Sequence, residues 1–168
     1  MTITYPHTFT QIVNLPVQLI QEAVVLSDDV YVYSSFASDE DLAQFMLQDK
    51  NIVVRAKNFP PDRGCQAGGG RNTMKIDGIF AISIWLRLWL DEIPRDDAWL
   101  TNATLGMAPM VDAVVDAMEQ AMPLDSNNRY YFIQPARCIT PGWQFLPKRI
   151  GAWQKLESLF SVVFWMAF

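Results

Sequence analysis

The sequence predicts one α+β domain spanning residues 1–168, in which helices pack on one face of a mainly antiparallel sheet. Residues 79–90, IFAISIWLRLWL, alternate with a period of two between a wholly apolar face and a mixed face, as a long central strand does. The last ten residues repeat this alternation, so the two strands suit neighbouring places in one sheet. An amphipathic stripe over residues 104–122 is the strongest helix pattern of the chain.

The first predicted helix begins at Pro16, because proline is favoured in a first helical turn and an apolar stripe continues to residue 26. Before this helix, His7 falls in an irregular segment that we expect to be mobile. After it, residues 30–33, VYVY, are rich in β-formers and predict a short strand.

A second, shorter helix is predicted over residues 39–48. Ser38 is a good N-cap, and the acidic residues that follow it complement the positive end of the helix dipole. Residues 51–56, NIVVRA, then predict another strand. The helix positions expected to point inward are Leu42, Phe45 and Met46.

A long loop is predicted over residues 58–75, because this stretch is rich in proline and glycine. Loops of this length inside compact domains are uncommon and are usually functional or disordered. Its glycine run matches neither the P-loop nor the dinucleotide-binding fingerprint. Arg63 and Arg71 give the loop a local positive charge, so we expect an arm whose cations meet carboxylates of a neighbouring subunit. Contact with an anion or with nucleic acid is the alternative.

The second half of the chain places loops and strands around the strongest helix. Residues 91–98 predict a charged turn, and residues 130–133 predict a strand. The proline- and glycine-rich stretch that follows is predicted to be a loop or an edge strand, and residues 153–159 lead into the terminal strand. The helix over 104–122 is expected to bury Leu105, Ala108, Val111, Val115, Met118 and Met122.

Composition predicts a subunit that is partly buried against partners. Hydrophobic residues make up 51% of the chain and charged residues 18%, which leaves little polar cover for the surface of a monomer. The net charge of −5 disfavours a protein that grips nucleic acid by its phosphates, but it suits an acidic wall past which DNA slides. The apolar runs are too short to cross a bilayer, there is no signal-peptide pattern, and Cys65 and Cys138 lack metal-ligand spacing. We therefore expect a protein made and used inside a cell, with unpaired thiols and no membrane contact.

No arrangement of residue types predicts catalysis. His7 is the only histidine, so a serine or cysteine triad would depend on that one side chain as its base. The carboxylates cluster at predicted turns and helix starts, where solvation and capping favour them. A Mg²⁺ site built from Asp91, Asp96 and Asp97, serving a small metal-dependent enzyme, is the alternative. We expect no enzymatic activity, no cofactor and no metal.

The mixed face of the two long strands is the candidate functional surface. Tryptophan and arginine are the residues most enriched at the energetic centres of protein interfaces. We therefore expect a subunit interface on this face, to which Arg63 and Arg71 of the long loop would add. Two alternatives remain: the helix over 39–48 covers these side chains as ordinary core, or they stack on carbohydrate or bases. The residues in question are Trp85, Arg87, Trp89 and Trp165.

A series of short motifs follows in order along the second half of the chain. The run Ile84-Trp85-Leu86-Arg87 leads to Asp91, then Trp99-Leu100, Gly106 and the helix VDAVVDAM, and Trp153-Gln154-Lys155-Leu156-Glu157 runs into the closing strand FSVVF. This pattern resembles the tail-terminator and related neck proteins of tailed bacteriophages. The resemblance covers residues 79–168 and, more loosely, the first helix.

The resemblance implies a structural protein of the virion rather than an enzyme. It implies a small antiparallel sheet backed by helices, assembled in the host cytoplasm as a hexameric ring that caps the tail tube and joins the tail to the neck. The implied partners are further copies of the chain, the tail-tube protein and neck or connector proteins, while DNA passes through the channel without specific binding. A head-completion or stopper-type connector is the alternative within this class. A nucleic-acid module centred on Arg63, Arg71 and exposed tryptophans is a third hypothesis.

Overall fold

The three-dimensional structure is a computed structural model. It describes residues 7–59, 61–66, 73–87, 107–139, 142–143 and 148–167. Within these residues the chain forms three helices and seven strands. In chain order they are α1 (Phe9–Gln21), β1 (Tyr31–Ser34), α2 (Asp39–Phe45), β2 (Lys50–Asn58), β3 (Pro61–Gln66), β4 (Thr73–Arg87), α3 (Ala108–Met118), β5 (Gln134–Cys138), β6 (Lys148–Ile150) and β7 (Trp153–Ala167).

The strands form one mainly antiparallel sheet in the order β1-β2-β4-β7-β5. β3 pairs with β4 beyond the end of β2, and β6 pairs with β7 beyond the end of β5. Among the described strands, β1 and β2 are the one parallel pair, because the chain crosses over from β1 to β2 through α2. The predicted fold class, a single α+β domain with a mainly antiparallel sheet, is confirmed. The expectation that the helices pack on one face is wrong, because α1 and α3 pack on one face and α2 packs on the other.

β4 and β7 form the centre of the sheet and are paired along their whole length, from Thr73 opposite Ala167 to Arg87 opposite Trp153. The prediction that the two alternating segments are neighbours is therefore confirmed. Both strands start earlier in the chain than the alternating segments do. β4 begins at Thr73, within the stretch predicted as a loop, and β7 begins at Trp153. Residues 88–90 and 168, which were predicted to continue these strands, lie outside the described residues.

The first face of the sheet, which carries Phe80, Ile82 and Phe160, packs against α1 and α3. The buried residues between them form one large apolar cluster, beside which Ser158, opposite Ile82, is also buried with its hydroxyl oxygen 2.9 Å from the Sγ of Cys138. Burial of this kind stabilises a domain by about 25 cal/mol per Å² of apolar surface removed from water. The apolar sides of both alternating strands therefore face the core, as predicted. The helices contribute Ile12, Leu15 and Ile20 from α1 and Met110, Val114 and Met118 from α3.

α1 starts before Pro16 and ends at Gln21, so its predicted bounds were wrong. The hydroxyl of Thr8 accepts a hydrogen bond from the backbone N–H of Gln11, and the side chain of Gln11 accepts one from the N–H of Thr8. This reciprocal capping box fixes the start of the helix. Pro16 lies in the helix interior, where its missing N–H removes one helical hydrogen bond. The burial of Ile12 and Ile20 on either side of it offsets that loss.

α3 is shorter than predicted and turns a different stripe toward the sheet. Pro109 lies in its first turn, as expected, and the helix ends at Met118, just before Gln120 adopts a positive φ of 62°. Val115, predicted to be buried, is 39% exposed. The buried positions are Met110, Ala113, Val114 and Met118, which are spaced at three, one and four residues as on one helical face. Residues 104–106 of the predicted helix lie outside the described residues.

Two strands lie outside their predicted positions. The stretch predicted as a loop over 58–75 contains β3, which pairs with the beginning of β4, because proline and glycine are tolerated on an outer strand. The strand predicted over residues 130–133 is displaced to β5, and Tyr130 instead makes an isolated bridge with Leu124. β5 lies at the edge of the sheet, which accommodates Pro135.

Candidate interface on the second sheet face

The second face of the sheet, opposite the aliphatic core, buries two indoles beneath α2. The rings of Trp85 and Trp153 meet edge to face, with centroids 6.4 Å apart and an interplanar angle of 79°. They are neighbours because β4 and β7 pair antiparallel, with Arg87 directly opposite Trp153 and Trp85 two residues away on the same face. Leu42 and Met46 of the α2 segment cover them. We call these two rings and the side chains over them the indole cluster.

Both indoles of this cluster have a hydrogen-bond partner. Trp85 Nε1 donates to Ser83 Oγ at 2.9 Å, and Ser83 Oγ in turn donates to the carbonyl oxygen of Val53. Trp153 Nε1 donates to the carbonyl oxygen of Ala43, inside α2, at 3.0 Å. Because a buried N–H group without a partner is costly, the bond from Trp153 to Ala43 fixes where α2 sits on the sheet.

A group of charged side chains borders the indole cluster and ties α2 to two strands. Asp39, at the start of α2, accepts a hydrogen bond from Arg55 of β2 at 2.8 Å and one from Lys155 of β7 at 2.9 Å. Lys155 also pairs with Glu157 at 2.9 Å, and its ammonium lies 5.6 Å from the ring centroid of Trp85. Burial alone would raise the pKa of Asp39, but the two cationic donors outweigh it and hold that pKa below its usual value. We call Asp39, Arg55, Lys155 and Glu157 the charged border.

Arg87 borders the indole cluster near the end of α2 and contacts residues of its own subunit. Its Nη2 donates to the carbonyl oxygen of Met46 at 3.0 Å, and its Nε lies 3.6 Å from a carboxylate oxygen of Asp49. The guanidinium carbon lies 4.8 Å from the ring centroid of Trp153, a cation–π contact. The side chain is 27% exposed, and its donors hold the end of α2.

The structure brings together two of the predicted interface residues and separates a third. Trp85 and Arg87 meet around α2, and Trp85 is fully buried within the subunit, so it does not itself lie on the accessible surface. For Trp85 the alternative of ordinary core beneath the helix at 39–48 is the correct one. Trp165 is half-buried near the opposite end of β7. Arg63 lies on β3 without a described side chain, and Trp89 and Arg71 lie outside the described residues.

An apolar groove next to the indole cluster was not predicted from the sequence. It occupies about 590 Å³ between the edge strand β1 and α2. Phe45, predicted to point inward, is 73% exposed on its rim, because α2 ends there and Met46 already adopts extended backbone with ψ 126°. Leu47 is 88% exposed beside it. The side chains that line the groove include Tyr31, Tyr33, Asp41, Phe45, Leu47 and Asn51.

His7, predicted to lie in a mobile segment, is 3% exposed. Its Nε2 lies 3.2 Å from an oxygen of Asp125, its ring centroid lies 4.2 Å from that of Tyr131, and its backbone N–H donates to the carbonyl oxygen of Trp165. Burial alone would raise the pKa of Asp125, but hydrogen bonds from the backbone and side chain of Arg129, from His7 and from the backbone of Asn127 lower that pKa to about 2. These contacts make His7 a structural tie between the start of α1 and the end of β7.

Comparison with known proteins finds solved structures that share this fold. No protein-family model and no curated protein sequence matches the chain. The fold resembles a tail terminator. One of these structures is the sheath/tube terminator of an extracellular contractile injection system, PVC, in its extended state, with a TM-score of 0.56 and 12% sequence identity. The alignment covers 98% of this chain and 58% of that one, so the chain spans little more than half of the PVC terminator and shares its fold over that span.

The terminator-like fold carries no metal cluster within the described residues. No group of three or more histidine, cysteine, aspartate or glutamate side chains converges there as metal ligands would. The acidic turn that includes Asp91, Asp96 and Asp97 lies outside the described residues. None of the described helices has the length and apolar character that crossing a membrane requires.

Proposed function

We propose that this chain is a structural subunit of a tail-like particle, a tail terminator that forms a ring on the end of the tail tube and joins the tail to the neck of a phage. The observation that carries the proposal is the terminator-like fold, which extends over 98% of the chain. Of the sequence motifs that resemble phage terminators, the first and the last lie in β4 and β7, the central strands of the sheet, and VDAVVDAM lies in α3. The chain acts through assembly and has no catalytic role.

The surface of the subunit supports a role in assembly. Phe36, Phe45 and Leu47 are each at least 73% exposed, and Tyr31 is 56% exposed, all on or near the segment between β1 and β2. Exposed apolar groups that cluster in this way mark contact surfaces on soluble proteins. Together with the low content of charged residues, they favour a subunit that is covered by neighbours in its working state.

The predicted interface residues have different parts in this proposal. Trp89, Trp165 and Arg87 contact neighbouring subunits, and Trp85 supports Arg87 from beneath through the indole cluster. Arg63 and Arg71 belong to the segment between β2 and β4, which we propose clasps the next subunit or the adjacent ring. Six copies close the ring, and DNA passes through its acidic channel without specific binding.

The proposal is tested by the length of tail tubes. Tail-tube subunits of the same particle are polymerised with and without the purified protein and viewed by electron microscopy. Capping predicts that tubes stop growing and carry extra density, as a ring, at one end only. Tubes of unchanged length without end density would contradict the proposal. A deletion strain gives the second readout: overlong or unjoined tails support a terminator, whereas heads that leak DNA indicate a stopper-type connector instead.

A further inference from the structure

The apolar groove between β1 and α2 combines aromatic rings with one carboxylate. The rings of Tyr31 and Tyr33 lie 5.0 Å apart, at an interplanar angle of 38°, on its β1 side. Phe45 and Asp41 lie on its α2 side. None of the described residues that line the groove is a lysine or an arginine. Aromatic faces and a carboxylate both attract a cation, so these walls suit a positively charged group.

The groove belongs to a part of the chain that has no positive charge of its own. The first lysine or arginine of the sequence is Lys50, and seven carboxylates precede it. Three of them, Asp29, Asp39 and Asp49, pair with cations of β2, β4 and β7. Asp41 is exposed and makes no ion pair with the cations that the structure describes. Its carboxylate is therefore available to a cation from outside the subunit.

The walls of the groove are held in place by contacts within the subunit. The indole N–H of Trp153 fixes α2 on the sheet. Asn51 Nδ2 donates to the carbonyl oxygen of Gln48 at 2.8 Å, which ties the chain after α2 to β2. Lys50 Nζ lies 2.9 Å from a carboxylate oxygen of Asp29, which ties the start of β2 to the segment before β1. Binding to walls that are already ordered loses less conformational entropy.

The side chains around the groove favour a protein segment over a small ligand. Phe45, Leu47 and Tyr31 are all exposed large apolar side chains. A small cation inside the groove would leave most of their surface in water, whereas a segment with apolar residues beside its cation would cover it. Arginine suits this position better than lysine, because its planar guanidinium stacks on aromatic rings and pairs with a carboxylate at the same time.

The described surface of this chain does not offer that combination. Of the lysines and arginines whose side chains the structure describes, only Lys57 and Arg137 are exposed. Neither one neighbours an exposed large apolar side chain along its strand. Val115 and Leu124, which are exposed, are each followed directly by an aspartate. The chemistry of the groove is therefore complementary to a different protein rather than to a second copy.

We propose that the groove between β1 and α2 binds a segment of a different protein in which apolar residues flank an arginine. The guanidinium stacks on the rings of Tyr31 and Tyr33 and pairs with Asp41. The apolar neighbours of the arginine cover Phe45 and Leu47. This inference goes beyond the proposed ring, because the contact requires no second copy of the chain.

Peptide binding to the full chain, measured by fluorescence anisotropy, tests the proposal. The probe is the synthetic peptide SLRLRLS with fluorescein at its N-terminus. The reference peptide has citrulline, the uncharged analogue of arginine, in place of both arginines. We expect the arginine peptide to bind at least about tenfold more tightly, because only the charged guanidinium gains from Asp41 and from the ring faces.

Variants of the chain identify the groups that select the arginine. Asp41→Asn is expected to weaken binding of the arginine peptide about tenfold and to leave the citrulline peptide unaffected. Glu40→Gln is the matched control, because Glu40 is exposed in the same helical turn but lies in another cleft, with Ile150 and Gly151, and should bind like the wild type. Tyr31→Ala should weaken binding about fivefold. Melting temperatures measured for each variant separate lost binding from lost folding.

Three results would overturn the inference: equal binding of the two peptides, no binding of the arginine peptide at about 1 mM, or equal weakening by Asp41→Asn and Glu40→Gln. Light scattering gives a fourth. A wild-type oligomer that Asp41→Asn converts to monomers would make a second copy the occupant, and a different protein would be the wrong partner. The tube-length experiment is separate: capped tubes without peptide selectivity leave the terminator role intact and remove the groove contact, and selective binding without capping does the reverse.

Discussion

The two faces of the sheet are held by different interactions. The first face, under α1 and α3, buries a large and continuous apolar cluster. The second face, under α2, buries two tryptophans with a few aliphatic neighbours and surrounds them with paired charges. Apolar burial is non-directional, whereas indole hydrogen bonds and ion pairs need particular partners at particular places. The first face therefore supplies most of the stability, and the second fixes one helix at one position.

The largest effect is expected on the first face. Phe80→Ala removes a fully buried ring that packs edge-on against Phe59, with centroids 5.2 Å apart. We expect the free energy of unfolding to fall by about 3–5 kcal/mol, because the substitution loses apolar burial and leaves a cavity. Urea denaturation measures this loss. A decrease below about 1 kcal/mol would mean that the first face can repack, and the contrast between the faces would then be wrong.

A smaller and more local effect is expected on the second face. Asp39→Asn removes the carboxylate that pairs with Arg55, which is 19% exposed, and leaves Lys155, which is 10% exposed, with Glu157 alone. We expect a loss of about 1–3 kcal/mol in urea denaturation, because a partly buried cation without its partner keeps its desolvation cost. Asp112→Asn on the exposed side of α3 is the control and should change stability by less than about 0.5 kcal/mol. If the two variants behave alike, the charged border does not hold α2.

The smallest effect is expected at acid pH and comes from Asp125, whose side chain is 7% exposed and lies beside His7. The pKa of Asp125 is about 2 in the folded chain against an ordinary value of 3.8. Its ionised form is therefore favoured by folding, and this stabilisation is present above about pH 4 and is lost as the pH falls toward 2.

Asp125→Asn tests that pH dependence. The urea midpoint of the wild type should fall more steeply between about pH 4 and pH 2 than that of the variant, because the variant has no carboxylate to protonate. Asp116→Asn, which removes an exposed carboxylate, should keep the slope of the wild type. Parallel curves for wild type and Asp125→Asn would show that the contacts of Asp125 with His7 and Arg129 do not favour its charge.

The first face could be predicted from the sequence because the alternation of apolar residues within a single strand is enough to identify it. Alternation with a period of two assigns Phe80 and Ile82 to one side of β4 without any knowledge of the partner strand. The same alternation in β7 predicted that the two strands are neighbours, and the structure shows them paired along their whole length. The start of α1 was missed although Thr8 and Gln11 carry a capping-box pattern, because Pro16 gave a competing start signal.

The second face could not be predicted as well, because its composition does not say what covers it. Trp85 is buried only because the parallel connection from β1 to β2 carries α2 across that face. Whether Phe45 points inward depends on the single residue at which α2 ends. His7 is buried by Asp125, 118 residues away, a contact that no local pattern indicates.

The full-length ladder between β4 and β7 has a consequence for synthesis. Thr73 pairs with Ala167, so the middle strand of the sheet lacks one of its two neighbours until the last described strand has left the ribosome. During that interval the nascent chain presents a long apolar strand with an open hydrogen-bonding edge, the kind of surface that pairs with other chains. Slow, late closure is therefore built into the topology, since contacts between residues far apart in the chain form last. Chaperone occupancy during translation would be concentrated on the interval between these two strands.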